Sequence, residues 1–132
     1  MKYSATLQTI AWLNGRRSDN TLEISPKFQR RAVWLPSERS ELLASVCSNL
    51  PFPEIYIHHD TDPQTGKERH IVVDGQQRIT SILMFVDSEI ALPTNDDWNG
   101  QYFRDLTEEQ KQSFWQYQIV VRGLYGDRKS VV

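Results

Sequence analysis

The sequence predicts an α+β fold with a small mixed sheet and flanking helices, and three observations carry that prediction. Short strand-like runs at Thr21–Ser25, Glu54–His59, Glu68–Asp74 and Gln118–Leu124 interleave with longer stretches whose apolar residues recur at helical spacing. Two of these runs flank Asp60–Lys67 (DTDPQTGK), a segment dense in turn formers, and so read as a hairpin. The chain has 132 residues, enough for one compact domain and too few for two of ordinary size.

The elements follow in order. Ser4–Asn14 reads as a first helix, with Ser4 as N-cap, Leu7, Ile10 and Ala11 on one face and Gly15 as the stop. Arg16–Asn20 is a polar loop, and Thr21–Ser25 (TLEIS) is a short strand that Pro26 ends. Pro36 and Ser37 open a second helix. Its stripe is Leu42, Leu43, Val46, Cys47 and Leu50, and Pro51 and Pro53 close it. After the hairpin a third helix starts directly behind Asp74, with Ile79, Ile82, Leu83 and Val86 on one face. Thr107-Glu108-Glu109-Gln110 has the spacing of a capping box and opens another helix, and Gln118–Leu124 is the last strand.

Composition narrows the function classes. Hydrophobic residues make up 39% and charged residues 24%, the balance of a globular chain rather than a disordered one. A net charge of -2 exerts no global pull on nucleic acid, so DNA contact requires a local basic patch or a second domain. No apolar run approaches the ~18–20 residues that span a bilayer. Met1-Lys2-Tyr3-Ser4 lacks the apolar core of a signal peptide. The expectation is a cytoplasmic protein with no membrane partner. Cys47 is the single cysteine, which excludes an intrachain disulfide or a cysteine-based metal site; on an apolar helix face it reads as a small core residue.

Chemistry is expected in His70–Ser81 (HIVVDGQQRITS). The apolar strand Ile71-Val72-Val73 delivers Asp74-Gly75 to the start of a helix, where free N–H groups and the positive end of the helix dipole suit a phosphate or carboxylate. Gly75 permits the tight turn and close approach of an anion. Gln76 and Gln77 offer neutral donors and acceptors, and Arg78 can grip phosphate oxygens in bidentate fashion. Asp74, the one acid, can hold a metal, orient a water or cap the helix. An ordinary strand–Asp–Gly–helix turn has the same spacing, so spacing alone leaves both readings open. A second constellation, Phe28–Trp34 (FQRRAVW), crowds two arginines, a glutamine and two aromatics into seven residues. Arg30 and Arg31 suit phosphate; Phe28 and Trp34 read as core packing ahead of stacking on a base or sugar.

Together the F-Q-R-R-x-V-W and V-V-D-G-Q-Q-R-I-T-S segments resemble the N-terminal domain of GmrSD-type, modification-dependent (type IV) restriction systems. That domain carries a DGQQR motif and belongs to the ParB/sulfiredoxin-like superfamily. The resemblance includes Asn49–Ile57 (NLPFPEIYI) and runs from about Leu7 to about Leu124. It implies a nucleoside triphosphate cofactor with Mg²⁺, bound and hydrolysed at Asp74, Gly75, Gln76, Gln77 and Arg78. Gln29 and Arg30 would close that site from the second segment. Asp74, Gln77 and Arg78 would be catalytic, with Asp74 holding the metal. Ala32 departs from the pattern, since the family often carries an aromatic residue there. The resemblance further implies a role in anti-phage defence, with modified DNA as partner. DNA cutting would reside in an HNH-type nuclease domain, C-terminal or on a partner subunit. His58, His59 and His70 do not make such a nuclease: His58 and His59 are strand neighbours that point to opposite faces.

The last residues, Asp127–Val132 (DRKSVV), continue no pattern and match one frame of a common sequencing adapter. The expected organisation is therefore a GmrSD-type domain over 1–126 and an adapter-derived, non-native tail over 127–132, with the fold truncated at its C-terminus; a short natural basic tail is the alternative. Two rival functions remain beside the nucleotide-binding one: a non-catalytic ParB-like DNA-binding adaptor, and a nuclease acting directly through the DGQQR site.

Overall fold

A computed structural model describes residues 2–24 and 33–125 of the chain. In order these form β1 (Lys2–Thr9), α1 (Ile10–Ser18), β2 (Leu22–Ile24), α2 (Pro36–Cys47), β3 (Ile55–Thr61), β4 (Glu68–Asp74) and α3 (Gln76–Val86). A short 3-10 turn (Phe103–Asp105), α4 (Glu108–Gln116) and β5 (Gln118–Tyr125) follow. The α+β class predicted from the sequence is the one observed: among the described residues, one five-stranded mixed sheet and four helices. Gln29, Arg30 and the segment 127–132 lie outside the described residues.

The chain divides into two compact units. The first holds the sheet, in the order β1-β5-β3-β4-β2, together with α1. β1 and β5 are antiparallel over eight residue pairs, from Lys2 opposite Tyr125 to Thr9 opposite Gln118. β5 runs parallel to β3, β3 and β4 form the antiparallel hairpin, and β2 adds to β4 in parallel. Branched residues fill the interior: Ile10 and Leu13 of α1 and Ile55, Ile57, Ile71, Val72, Ile119 and Val121 of the strands are buried. Near the end of the hairpin the register slips. Tyr56 faces Asp74 but Ile57 faces Val72, so Val73 is the extra residue of a β-bulge just before the motif.

The second unit holds α2, α3 from Gln77 onward, the 3-10 turn and α4. Its interior combines Leu43 and Val46 of α2 with Ile79, Ile82 and Phe85 of α3 and Phe114 of α4, all buried. Phe85, Phe103 and Phe114 pack with ring centroids 5.4, 5.5 and 5.8 Å apart, and Trp115 meets Phe103 edge-on at 5.3 Å. The capping box at Thr107 forms as the sequence predicts. The Gln110 N–H donates to Thr107 Oγ1 at 3.1 Å, and the Thr107 N–H donates back to Gln110 Oε1 at 2.9 Å.

One element differs from its sequence reading. Ser4–Asn14 is not a helix: its first half is β1, and α1 begins at Ile10 with Thr9 as N-cap, accepting from the Trp12 N–H at 3.1 Å. Tyr3, Ala5 and Leu7 alternate, and pairing along the whole of β5 outweighs the weak helical spacing of Leu7, Ile10 and Ala11. Gly15 lies inside α1 and does not end it. Three helices instead end on left-handed residues that are not glycine: Asn20 (φ 63°) after α1, Asn49 (φ 57°) after α2 and Ser88 (φ 57°) after α3. Each is followed by a backbone bond that closes the last turn, Thr21 to Arg16, Leu50 to Ser45 and Glu89 to Met84. Pro51 and Pro53 thus lie beyond a helix already stopped.

Candidate functional site

The five motif residues sit on the junction of β4 and α3. Asp74 is the exposed last residue of β4. Gly75 follows with φ 100°, a backbone state that side chains with a Cβ rarely adopt, and α3 starts at the next residue. The helix has no acidic residue in its first turn, so its positive end is not neutralised from within. Asp74, Gly75 and Gln76 end this stretch of the sheet unit; Gln77 and Arg78 begin the next stretch of the helical unit.

On the sheet side, Gln76 is buried at 6% exposure and its amide is already engaged. Nε2 donates to the carbonyls of Val73 at 3.2 Å and of Val72 at 3.4 Å, acceptors that the bulge leaves near the strand end. Tyr56, the cross-strand neighbour of Asp74, donates its hydroxyl to Glu54 Oε1 at 3.0 Å, and Arg122 Nε donates to Glu54 Oε2 at 2.9 Å. The bonds from Arg122 and then Tyr56 hold the Glu54 carboxyl below its usual range; the Glu54 bond raises the Tyr56 phenol.

On the helical side, Gln77 is held by a residue that the sequence reading does not single out. Arg39 of α2 is 6% exposed, and among the described residues it is the one buried side chain with a permanent charge. Its Nη2 donates to Gln77 Oε1 at 2.8 Å, and Nη1 donates to the Gln77 carbonyl at 3.2 Å and to Ser81 Oγ at 2.8 Å. Ser81 Oγ in turn donates to the Gln77 carbonyl at 2.7 Å, and the Trp34 N–H gives Gln77 Oε1 a second bond at 3.2 Å. Burial pulls the Arg39 guanidinium below its ordinary value, against the pull of Glu38. The guanidinium of Arg78 lies over the Phe52 ring, 5.8 Å from its centroid. A signal for Arg39 exists in the sequence. It stands four residues before Leu43 and seven before Val46, on the apolar stripe of α2, where a charge needs a buried partner.

A second polar cluster lies in the sheet. His59 of β3 and His70 of β4 are register partners whose Nδ1 atoms are 2.8 Å apart, so one ring donates and the other accepts. Tyr125 stacks on His59 at 4.9 Å, Trp12 meets His70 edge-on at 5.3 Å, and Glu68 approaches His70 Nε2 at 3.6 Å. Burial, then His70, push His59 down to about 4; burial also lowers His70. Among the described residues no three His, Cys, Asp or Glu side chains gather as a metal site. Cys47 borders a small cavity of about 90 Å³ with Val46, Trp98, Leu106 and Phe114, and burial pushes its thiol up to about 12, which leaves it a thiol at neutral pH.

The family described as GmrSD restriction endonuclease, N-terminal domain, matches residues 11–127. The chain belongs to this family. This GmrSD N-terminal domain is thereby tied to a restriction endonuclease system, as the two sequence segments had implied. No curated protein and no solved structure gives a significant match. Among the described residues, no helix of the GmrSD domain is long and apolar enough to cross a membrane.

Proposed function

We propose that this GmrSD N-terminal domain binds and hydrolyses a nucleoside triphosphate, and that DNA cleavage belongs to an HNH-type nuclease domain or subunit that acts with it on modified DNA. The observation that carries the reading is the junction at Gly75: an exposed carboxylate, a left-handed glycine and a helix N-terminus with an arginine in its first turn follow one another within five residues. A helix N-terminus and Arg78 suit phosphate oxygens, and Gln77 positions them. The family resemblance adds Gln29 and Arg30 to this reading as further phosphate-binding residues. Phosphoryl transfer asks mainly for such positioning and charge stabilisation.

Asp74 is the one carboxylate of the motif. Mg²⁺ commonly takes one or two protein carboxylates and fills its remaining positions with phosphate oxygens and water. The donor chemistry therefore suits a magnesium ion that arrives with its nucleotide, with Asp74 as its protein ligand or as the group that orients the attacking water. Gln76 supports the turn through its bonds to the Val72 and Val73 carbonyls.

The test is incubation of the full chain with each radiolabelled NTP and Mg²⁺. Phosphate release that is lost in Arg78→Ala and Asp74→Ala, with the fold retained, is the expected result. No release and no NTP-dependent thermal shift would reject the reading. Plasmid cleavage in Mg²⁺ without NTP would point to a nuclease at this site, and DNA binding alone, weakened steeply by salt, to an adaptor.

A further inference from the structure

Arg39 and Gln77 share a geometry that fixes more than packing. Arginine carries donors only, and the Trp34 N–H is a donor as well. Both point at one atom of the Gln77 amide, at 2.8 and 3.2 Å, so that atom must be the oxygen. The usual freedom to flip the amide is removed, because the opposite orientation would set an NH₂ group against two donors. Arg39 also holds the Gln77 carbonyl and Ser81 Oγ, which closes the network on α3 and denies the side chain another position. The remaining polar atom, Nε2, has no acceptor among the described residues and is not among their buried unpartnered atoms.

We propose that Arg39 is a positioning residue that presents Gln77 as a hydrogen-bond donor only. Gln77 then selects an oxygen-rich acceptor such as a phosphate and does not serve as the acceptor that orients an attacking water. This inference rests on the nucleotide reading above, and it assigns the water-orienting task to Asp74.

Two variants separate donor presentation from fold. Gln77→Glu keeps an accepting oxygen for Arg39 and Trp34 and turns the donor NH₂ into a carboxylate oxygen facing the ligand. Its thermal midpoint should match or exceed that of the unchanged chain, because the oxygen now meets a permanent charge. Its affinity for Mg·ATP, Mg·GTP, Mg·CTP or Mg·UTP, whichever the unchanged chain binds by titration calorimetry, should fall roughly ten- to hundredfold. Arg39→Lys keeps a positive charge but cannot bridge Gln77 Oε1, its carbonyl and Ser81 together, and should weaken binding in the same direction. The readout that a purely structural Arg39 would not move is spectroscopic. The Gln77 side-chain amide resonance, assigned by its loss in Gln77→Glu, should shift on saturating nucleotide addition in the unchanged chain and lose that shift in Arg39→Lys.

If the unchanged chain binds none of the four nucleotides, the nucleotide reading falls and this inference with it. If it binds and Gln77→Glu binds equally well, or if the Gln77 amide resonance stays in place, the nucleotide reading stands and the role given to Arg39 and Gln77 is overturned.

Discussion

Gly75 divides two polar regions that solve the same problem with different chemistry. On the sheet side, two buried polar side chains meet neutral partners on a strand: Gln76, at the helix start, the Val72 and Val73 carbonyls of β4, and His70 its cross-strand neighbour His59. On the helical side, Gln77 is satisfied by a permanent charge brought from 38 residues away in the sequence. The sheet supplies partners at every register position, so a polar side chain there needs only the right neighbour. A helix spends its own backbone groups internally, and a polar residue on its packed face must be met by another element. The two regions should therefore respond differently to mutation and to acid.

The largest effect is expected from removing the charge. Arg39→Met leaves Ser81 Oγ and the Gln77 carbonyl without the guanidinium and Gln77 Oε1 with the Trp34 N–H as its remaining donor inside the helical unit, and should cost about 2–4 kcal/mol of stability, read as a lowered urea midpoint. A midpoint within experimental error of the parent would mean that the network is not what orders the helical side.

Acid should next distinguish the two sides. His59, and His70 with it, titrates below the ordinary histidine value of 6.5 in the folded chain, His59 at about 4. Above pH 6.5 neither folded nor unfolded chain carries these protons and the stability is complete. Between 6.5 and about 4 the unfolded chain takes up protons that the folded pair resists, so stability falls across that window. Thermal melts should show this slope, and His59→Gln should flatten it. Arg39 stays charged throughout and should contribute no slope of its own. An unchanged slope in His59→Gln would place the acid sensitivity elsewhere.

Two smaller effects test the junction. Gly75→Ala forces a Cβ onto a backbone at φ 100° and should cost about 1–2 kcal/mol, with weaker nucleotide binding if the turn shifts. Gln76→Leu removes the donor for the bulge carbonyls and should cost about 1 kcal/mol. Chemical denaturation measures both. A Gln76→Leu chain as stable as the parent would show that water replaces the amide and that the bulge needs no internal cap.

Much of the fold was legible because its signals are local. Thr107 and Gln110 cap α4 by side chains three residues apart, and the turn-rich Asp60–Lys67 segment joins two strands that could only fold back on each other. β1 was misread for the opposite reason. Nothing within Lys2–Thr9 outbids a helix strongly, and its true partner is β5, more than a hundred residues along the chain. Two helix ends also differ from the sequence reading, since Asn20 and Asn49 adopt the left-handed state where Gly15 and then Pro51 and Pro53 are the expected stops.

The candidate site divides along the same line. By itself the sequence determined a strand, a left-handed turn and a helix start at Asp74–Arg78, because a run of branched residues, a glycine and a helical stripe each act over a few residues. It also determined family membership, with the family match extending over residues 11–127. Only the tertiary structure decided that Gln76 is spent on the bulge, that His59 meets His70, and that Arg39 fixes which atom of Gln77 is presented. Each of these is a pairing of buried polar groups, and such a pairing depends on sheet register or helix packing, which no local pattern encodes.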